Sequence, residues 1–256
     1  MVNLFDANTR FSWDFVPRTA DRLGEHSRLP AIRPTSYQRD LGIAVYATAT
    51  EDVEGIFHKI GHTHCDHIHV DIVDESINAT AAPVQLQRLC EVRDLWPNHP
   101  VGLHLMSKTP RHWAQQCWDY VDWMLYPCDA PGLHSLIEES RQRGKKAGVV
   151  WHQSSPVLHL LPYFAHVDFV MVMGIARLGA SGQSLNPKSL DVACLLEAMR
   201  QRHSFELMFD GGVKPSNASL IPARYLVSAS GVLSAECPKS SAELLRRSCY
   251  SADSLQ

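Results

Sequence analysis

No stretch of this 256-residue chain comes near the ~18–20 consecutive apolar residues that a membrane-spanning helix needs, and Met1 to Arg10 lacks the apolar core of a secretory signal. No block of Lys and Arg stands out either. The 24 basic side chains are set against 27 acidic ones for a formal charge of -3, so the chain carries no electrostatic footprint for nucleic acid. The seven cysteines, Cys65, Cys90, Cys117, Cys128, Cys194, Cys237 and Cys249, are odd in number and contain no C-x-x-C pair. That spacing indicates neither a disulfide framework nor a zinc knuckle. These absences point to a cytoplasmic protein whose partners include neither a membrane nor nucleic acid.

What the chain does have is a succession of short apolar runs: Leu41 to Ala47, His67 to Ile72, Val101 to Leu105, Val121 to Tyr126, Ala147 to Trp151, Val167 to Ile175, Phe205 to Phe209 and Tyr225 to Ser228. Most show no strict alternation, as expected of strands buried on both faces of a parallel sheet. Amphipathic stretches lie between them. Val84 to Leu95, Leu133 to Arg143 and Leu190 to Met199 have helical spacing, each with one apolar face to lay against the sheet. Eight strand-then-helix repeats predict an α/β fold, the (β/α)8 TIM barrel, with an open doubly wound sheet as the runner-up. Residues 1–40 do not fit the repeat. Phe5, Phe11, Trp13, Phe15 and Tyr37 among many charges, broken by Pro17, Pro30 and Pro34, read as an N-terminal arm packed onto the barrel. The barrel is assigned to 41–247, and 248–256, small and polar, to a frayed C-terminal tail.

In such a barrel the chemistry sits at the C-terminal ends of the strands. The second run ends His67-Ile-His69-Val-Asp71, and the period of two aims His69 and Asp71 the same way. The third ends at His104-Leu105-Met106 and the seventh at Asp210-Gly211-Gly212. Two imidazoles and two carboxylates from three strand ends form a mixed nitrogen and oxygen set, suited to one divalent ion such as Zn, Fe(II), Mn or Co. Gly211, Gly212 and Ser230-Gly231 follow the seventh and eighth runs, where glycine turns either bind a phosphate or simply turn the chain. His62-Thr-His64-Cys65 precedes its strand and lacks a second ligand pair, which places it on the far face. His152 closes the fifth run near the rim, and Lys214 follows the first glycine turn.

In order and spacing, His69-Val-Asp71-Ile-Val-Asp74, His104-Leu-Met106 with Pro110, Asp168 to Met173, Gly182-Gln183, Asp210-Gly-Gly-Val213 and Val227-Ser-Ala-Ser230 resemble the ribulose-phosphate 3-epimerase family over about 41–247. The resemblance implies a metal held by His69, Asp71, His104 and Asp210. It implies that Asp71 and Asp210 double as the acid/base pair, inverting C3 of a ketose phosphate such as ribulose 5-phosphate through an enediolate steadied by the metal. Met106, Met173, Gly182, Gly211, Gly212 and Ser230 fall where substrate and phosphate would bind. A small-molecule sugar phosphate is the implied partner, within pentose phosphate metabolism, and a homo-oligomer is expected. Departures cluster around the substrate: Ala44 replaces a family Ser, Val73 a Met, Glu75 and Ala229 each a Gly, and Met173 to Gln183 is one residue longer than the family lid and lacks its Pro. They point to a related or modified sugar phosphate. Two other readings stay open: a metal-dependent hydrolase using His67, His69, His104, His152 and Asp210, and a catalytically silent sugar-phosphate-binding barrel.

Overall fold

A computed structural model describes residues 38–47, 52–180, 182–200 and 202–251. Eight parallel strands close into a barrel in chain order: β1 (Asp40–Tyr46), β2 (His67–Val73), β3 (Val101–Met106), β4 (Trp123–Pro127), β5 (Lys146–Trp151), β6 (Phe169–Met173), β7 (Glu206–Asp210) and β8 (Tyr225–Ser228), which pairs back with β1. The expected barrel is the observed one, and the open sheet is excluded. β2 and β3 are buried at every position. That double burial is why their sequences run apolar without alternating.

The helices are α1 (Val53–Ile60), α2 (Gln87–Leu95), α3 (Pro110–Cys117), α4 (Leu133–Gln142), α5 (Pro187–Arg200), α6 (Ser230–Leu233) and α7 (Pro238–Arg247). The strand-then-helix repeat is not uniform. After β5 the chain makes only a 3-10 segment, Val157–Tyr163, because Pro156 precedes it and Pro162 lies within it. The connection after β7 is likewise a short 3-10 turn, Ala218–Leu220. α2 starts later than its apolar spacing predicts, since Gln85 N donates to Ala47 O and holds that segment against β1.

Two apolar clusters divide the work. One fills the layer between strands and helices, and includes Leu41, Ile43, Val70, Leu103, Leu136 and Leu196. The other fills the barrel interior with Trp123, Leu125, Phe169, Met171, Met208 and Tyr225. The interior is packed to contact. A Cβ on Gly148 would stand 2.5 Å from Leu125 Cδ2, so that position admits glycine alone beside its large neighbours.

The arm expected over 1–40 lies outside the described residues except for 38–40. Arg39 is buried and donates to Ile221 O (2.7 Å), Ser248 O (3.0 Å) and Ala223 O. The tail expected to fray is therefore held at its start: Tyr250 is buried and Ser251 N donates to Ser219 O. Residues 252–256 lie outside the described residues. All seven cysteines are free thiols. Among the described residues, no helix is long and apolar enough to cross a membrane.

Candidate active site

The strand register assembles the polar cluster. Parallel pairing sets Ala44 beside His69, Asp71 beside His104, and Met173 beside Asp210. His69, Asp71, His104 and Asp210 are all buried, and one nitrogen or oxygen from each lies within 4.8 Å of the others. His69 Nε2 is 3.4 Å from Asp71 Oδ1 and 3.8 Å from Asp210 Oδ2; His104 Nδ1 is 2.9 Å and 3.8 Å from the same two atoms. Ligands held about 2.0–2.2 Å from one ion in tetrahedral array stand about 3.3–3.6 Å apart, and the observed spacings bracket that range. Both ring nitrogens of His69 are buried without a hydrogen-bond partner. An imidazole with neither nitrogen bonded, facing two carboxylates, is costly as structure alone, and a cation among the four side chains would account for it. The residues fit a divalent metal.

The two carboxylates differ. Burial alone would push Asp71 up, but the charge of His69 and the hydrogen bond with His104 outweigh it and hold the carboxyl down at about 2. Asp210 is pushed up to about 7, first by burial and then by the charge of Asp71, with His69 opposing. Burial lowers His104, and the Asp71 contact does not fully offset it. His69 is raised: burial would lower it, and the two carboxylates overcome that. Of the two carboxyls, Asp71 is therefore the stronger acid and Asp210 the one that holds its proton to higher pH.

Two cavities flank the cluster. A small one of about 30 Å³ is lined by Asp71, Asp210, Met106, Met173, Gly182, Gly211, Gly212 and Ser230, with Ala44 and Tyr46 on its wall. The residues singled out for substrate and phosphate therefore lie together. Gly211 and Gly212 take φ of 99° and 71°, and a Cβ on Gly212 would stand 2.9 Å from Leu185 backbone, so both are required by the turn itself. A larger cavity, about 430 Å³, adjoins it across Met106 and Met173 and reaches His104 and His152. The segment after β6 is latched by Gln183, whose Nε2 donates to Arg177 O (2.7 Å) and Ala180 O (2.6 Å) while its Oε1 accepts from Arg177 N (3.1 Å).

Other candidates stand apart. His67 Nδ1 bonds Asp40 Oδ1 at 2.7 Å, toward the opposite end of the barrel. His152 Nδ1 lies 2.8 Å from Ser154 Oγ and its Nε2 3.1 Å from Ala176 O. Neither joins the cluster, so the ligand set a hydrolase would need is not assembled. His64 Nδ1 lies 3.1 Å from Ile60 O and the His62 ring stacks on His99, away from the strand ends as expected. Lys214 is exposed, with its backbone N donating to Asn217 Oδ1. Sequence reasoning assigned no role to Asp74, which ties the loops after β2 and β3 together. It accepts from Ser107 Oγ, Trp113 Nε1 (2.8 Å) and Ser76 N (3.0 Å), bonds that overcome burial and lower its pKa. The Asp that follows the H-x-D segment at the strand end was the available signal.

A sequence model of the Ribulose-phosphate 3 epimerase family matches residues 43–233. Ribulose-phosphate 3-epimerase from Rhodospirillum rubrum is 28% identical over 164 residues, 62% of this chain and 70% of that protein. The enzyme of that name from Bacillus subtilis (strain 168) is 29% identical over 180 residues, 65% and 79% respectively. Among solved structures, a 3-hexulose-6-phosphate synthase superposes with a TM-score of 0.59 at 18% identity, covering 81% of this chain and 98% of that one, a likeness of fold. With the match running from β1 into α6 and through all three strand ends that carry the cluster, the chain belongs to the ribulose-phosphate 3-epimerase family.

Proposed function

We propose that the protein is a divalent-metal-dependent epimerase that inverts C3 of a ketose phosphate, working in the cytoplasm. The observation that carries this is the buried cluster of His69, Asp71, His104 and Asp210 in a chain of this family. A proton beside a ketone is too weakly acidic to leave unaided, and inversion needs a proton taken from one face and returned to the other. Asp71 on β2 and Asp210 at the end of β7 supply two carboxyl groups that meet in the barrel mouth. For one epimer Asp71 removes the C3 proton and Asp210 delivers one to the opposite face of the planar enediolate; for the other epimer the roles exchange. A divalent ion held by the four residues supplies positive charge beside the developing oxyanion, worth several kcal/mol. Burial keeps water off the carboxylates, and Met106 and Met173 stand over the same space.

Gly211, Gly212, Ser230 and Gly231 are proposed to take the phosphate, through backbone N–H groups of the two turns. Ala44, standing where the family carries a hydroxyl, removes one substrate contact beside His69 and supports a substrate other than plain ribulose 5-phosphate. The test is solvent exchange. Ribulose 5-phosphate and other ketose phosphates, incubated with protein and Mn(II), Co(II) or Zn(II) in D2O, should acquire deuterium at C3 in at least one case. No exchange with any of them would overturn the reading.

A further inference from the structure

The acid/base pair lines the cavity of about 30 Å³ on the side of the glycine turns, and a second one of about 430 Å³ opens on the side of His104, with Met106 and Met173 lining both. The larger cavity is a built structure. Ser155 Oγ donates to Asp129 Oδ2 (3.1 Å), joining the loops after β4 and β5, and Trp151 Nε1 donates to Ser155 O (2.8 Å), holding the second loop on its strand. Asn186 Nδ2 donates to Gln153 Oε1 (2.6 Å), and His152 Nε2 meets Ala176 O, joining the loop after β5 to the segment after β6. Leu178 of that segment lines the cavity, so its walls are preformed from three cross-tied loops.

With the phosphate of a plain pentulose phosphate at the glycine turns and C3 between Asp71 and Asp210, only C1 and its hydroxyl remain to project toward His104. The cavity, at about 430 Å³, lies in the size range of ordinary ligand pockets. Its chemistry selects what fills it. Pro127, Ala130, Val150 and Leu178 make apolar wall, while Lys108 and Asp129 are exposed at its margin with opposite charges. A second phosphate would meet the carboxylate as well as the ammonium, and gains nothing from the apolar wall.

Building on the epimerase reading above, we infer that this cavity is a subsite for an apolar, ring-sized substituent on the C1 side of the substrate. The ketose phosphate acted upon is then a 1-substituted one. The probes are ribulose 5-phosphate and 1-anilino-1-deoxyribulose 5-phosphate, used with the metal-loaded full chain. Binding is read by calorimetry and C3 exchange in D2O by NMR. The anilino ketose should bind about tenfold or more tighter than ribulose 5-phosphate, the difference expected for burying a ring. Ser154→Trp, at an exposed position on the cavity wall, should remove most of that preference by filling the space. Equal or weaker binding of the anilino ketose, or a preference that Ser154→Trp leaves unchanged, would overturn the subsite. Exchange of ribulose 5-phosphate or any other ketose phosphate with exclusion of the anilino ketose sinks the subsite alone; exchange of no ketose phosphate at all sinks the epimerase reading and the subsite with it.

Discussion

Two buried histidines two residues apart on β2 share the interior face of the barrel and lead opposite lives. His67, at the start of the strand, has its own carboxylate, with Nδ1 on Asp40 Oδ1 at 2.7 Å, and its ring packs against Trp123 at 4.9 Å between centroids and Tyr225 at 6.0 Å. Its Nε2 occupies the space beside Gly42, where a Cβ would come within 2.2 Å. His69, one pleat higher, has neither ring nitrogen hydrogen-bonded and two carboxylates within 4 Å. Residue type and burial do not separate a structural imidazole from a ligand. What separates them is the number and placement of anionic neighbours, and register decides that.

The largest effect that sharpens this contrast belongs to the upper layer. Asp210→Asn should lower epimerisation by about 10²–10⁴-fold, because one of two proton-transfer groups is lost. Metal content measured in the same preparation separates lost acid/base function from a lost ligand. A variant that keeps its metal and turns over at the parental rate would refute the two-base mechanism. In the lower layer, His67→Ala should leave bound metal unchanged and destabilise the fold by about 2–4 kcal/mol in urea titrations, through the cavity among Trp123 and Tyr225 and an unpaired Asp40. Loss of metal from His67→Ala would break the comparison.

The upper layer also gives the metal-free protein a pH dependence of opposite signs at its two carboxylates. Asp210, raised to about 7, contributes stability that is complete below its unfolded value near 3.8 and is lost as pH rises through about 7. Asp71, lowered to about 2, contributes stability present above 3.8 and lost as pH falls through about 2. Between about pH 4 and about pH 8 the metal-free protein should therefore lose on the order of 2–4 kcal/mol through Asp210. A saturating divalent ion or Asp210→Asn should flatten that slope. A slope unchanged in Asp210→Asn would assign it elsewhere. The smallest effect is expected at Gly179, where φ is 72° and an added Cβ would lie 2.7 Å from Val73 Cγ1. Gly179→Ala should cost about 1–2 kcal/mol of stability by thermal melting, or show as a raised KM if the Gln183-latched segment shifts instead.

Much of the barrel was legible because its strands are buried on both faces, so their runs stand out even where boundaries move by a residue or two, as at Trp123 and Phe169. The cluster was legible because a period of two fixes His69 and Asp71 on one face, and the rule that chemistry sits at strand ends supplies His104 and Asp210. Loops were not legible in the same way. The role of Asp74 depends on Ser107 and Trp113, 33 and 39 positions away in the chain. The 430 Å³ cavity exists only once the loops after β4 and β5 and the segment after β6 are hydrogen-bonded to one another. The strand-then-helix repeat was misleading after β5, where Pro156 and Pro162 limit the chain to 3-10 turns.

Whether His69 is a ligand and His67 a structural residue is decided by the metal content of protein purified without chelator, for the parent, His69→Ala and His67→Ala side by side. Elemental analysis should find about one equivalent of divalent ion per chain in the parent and in His67→Ala, and less than about a tenth of that in His69→Ala, in line with the loss of one of four ligands at a site of this kind. Full occupancy in His69→Ala, or no metal bound by the parent even when Mn(II), Co(II) or Zn(II) is supplied, would contradict this assignment.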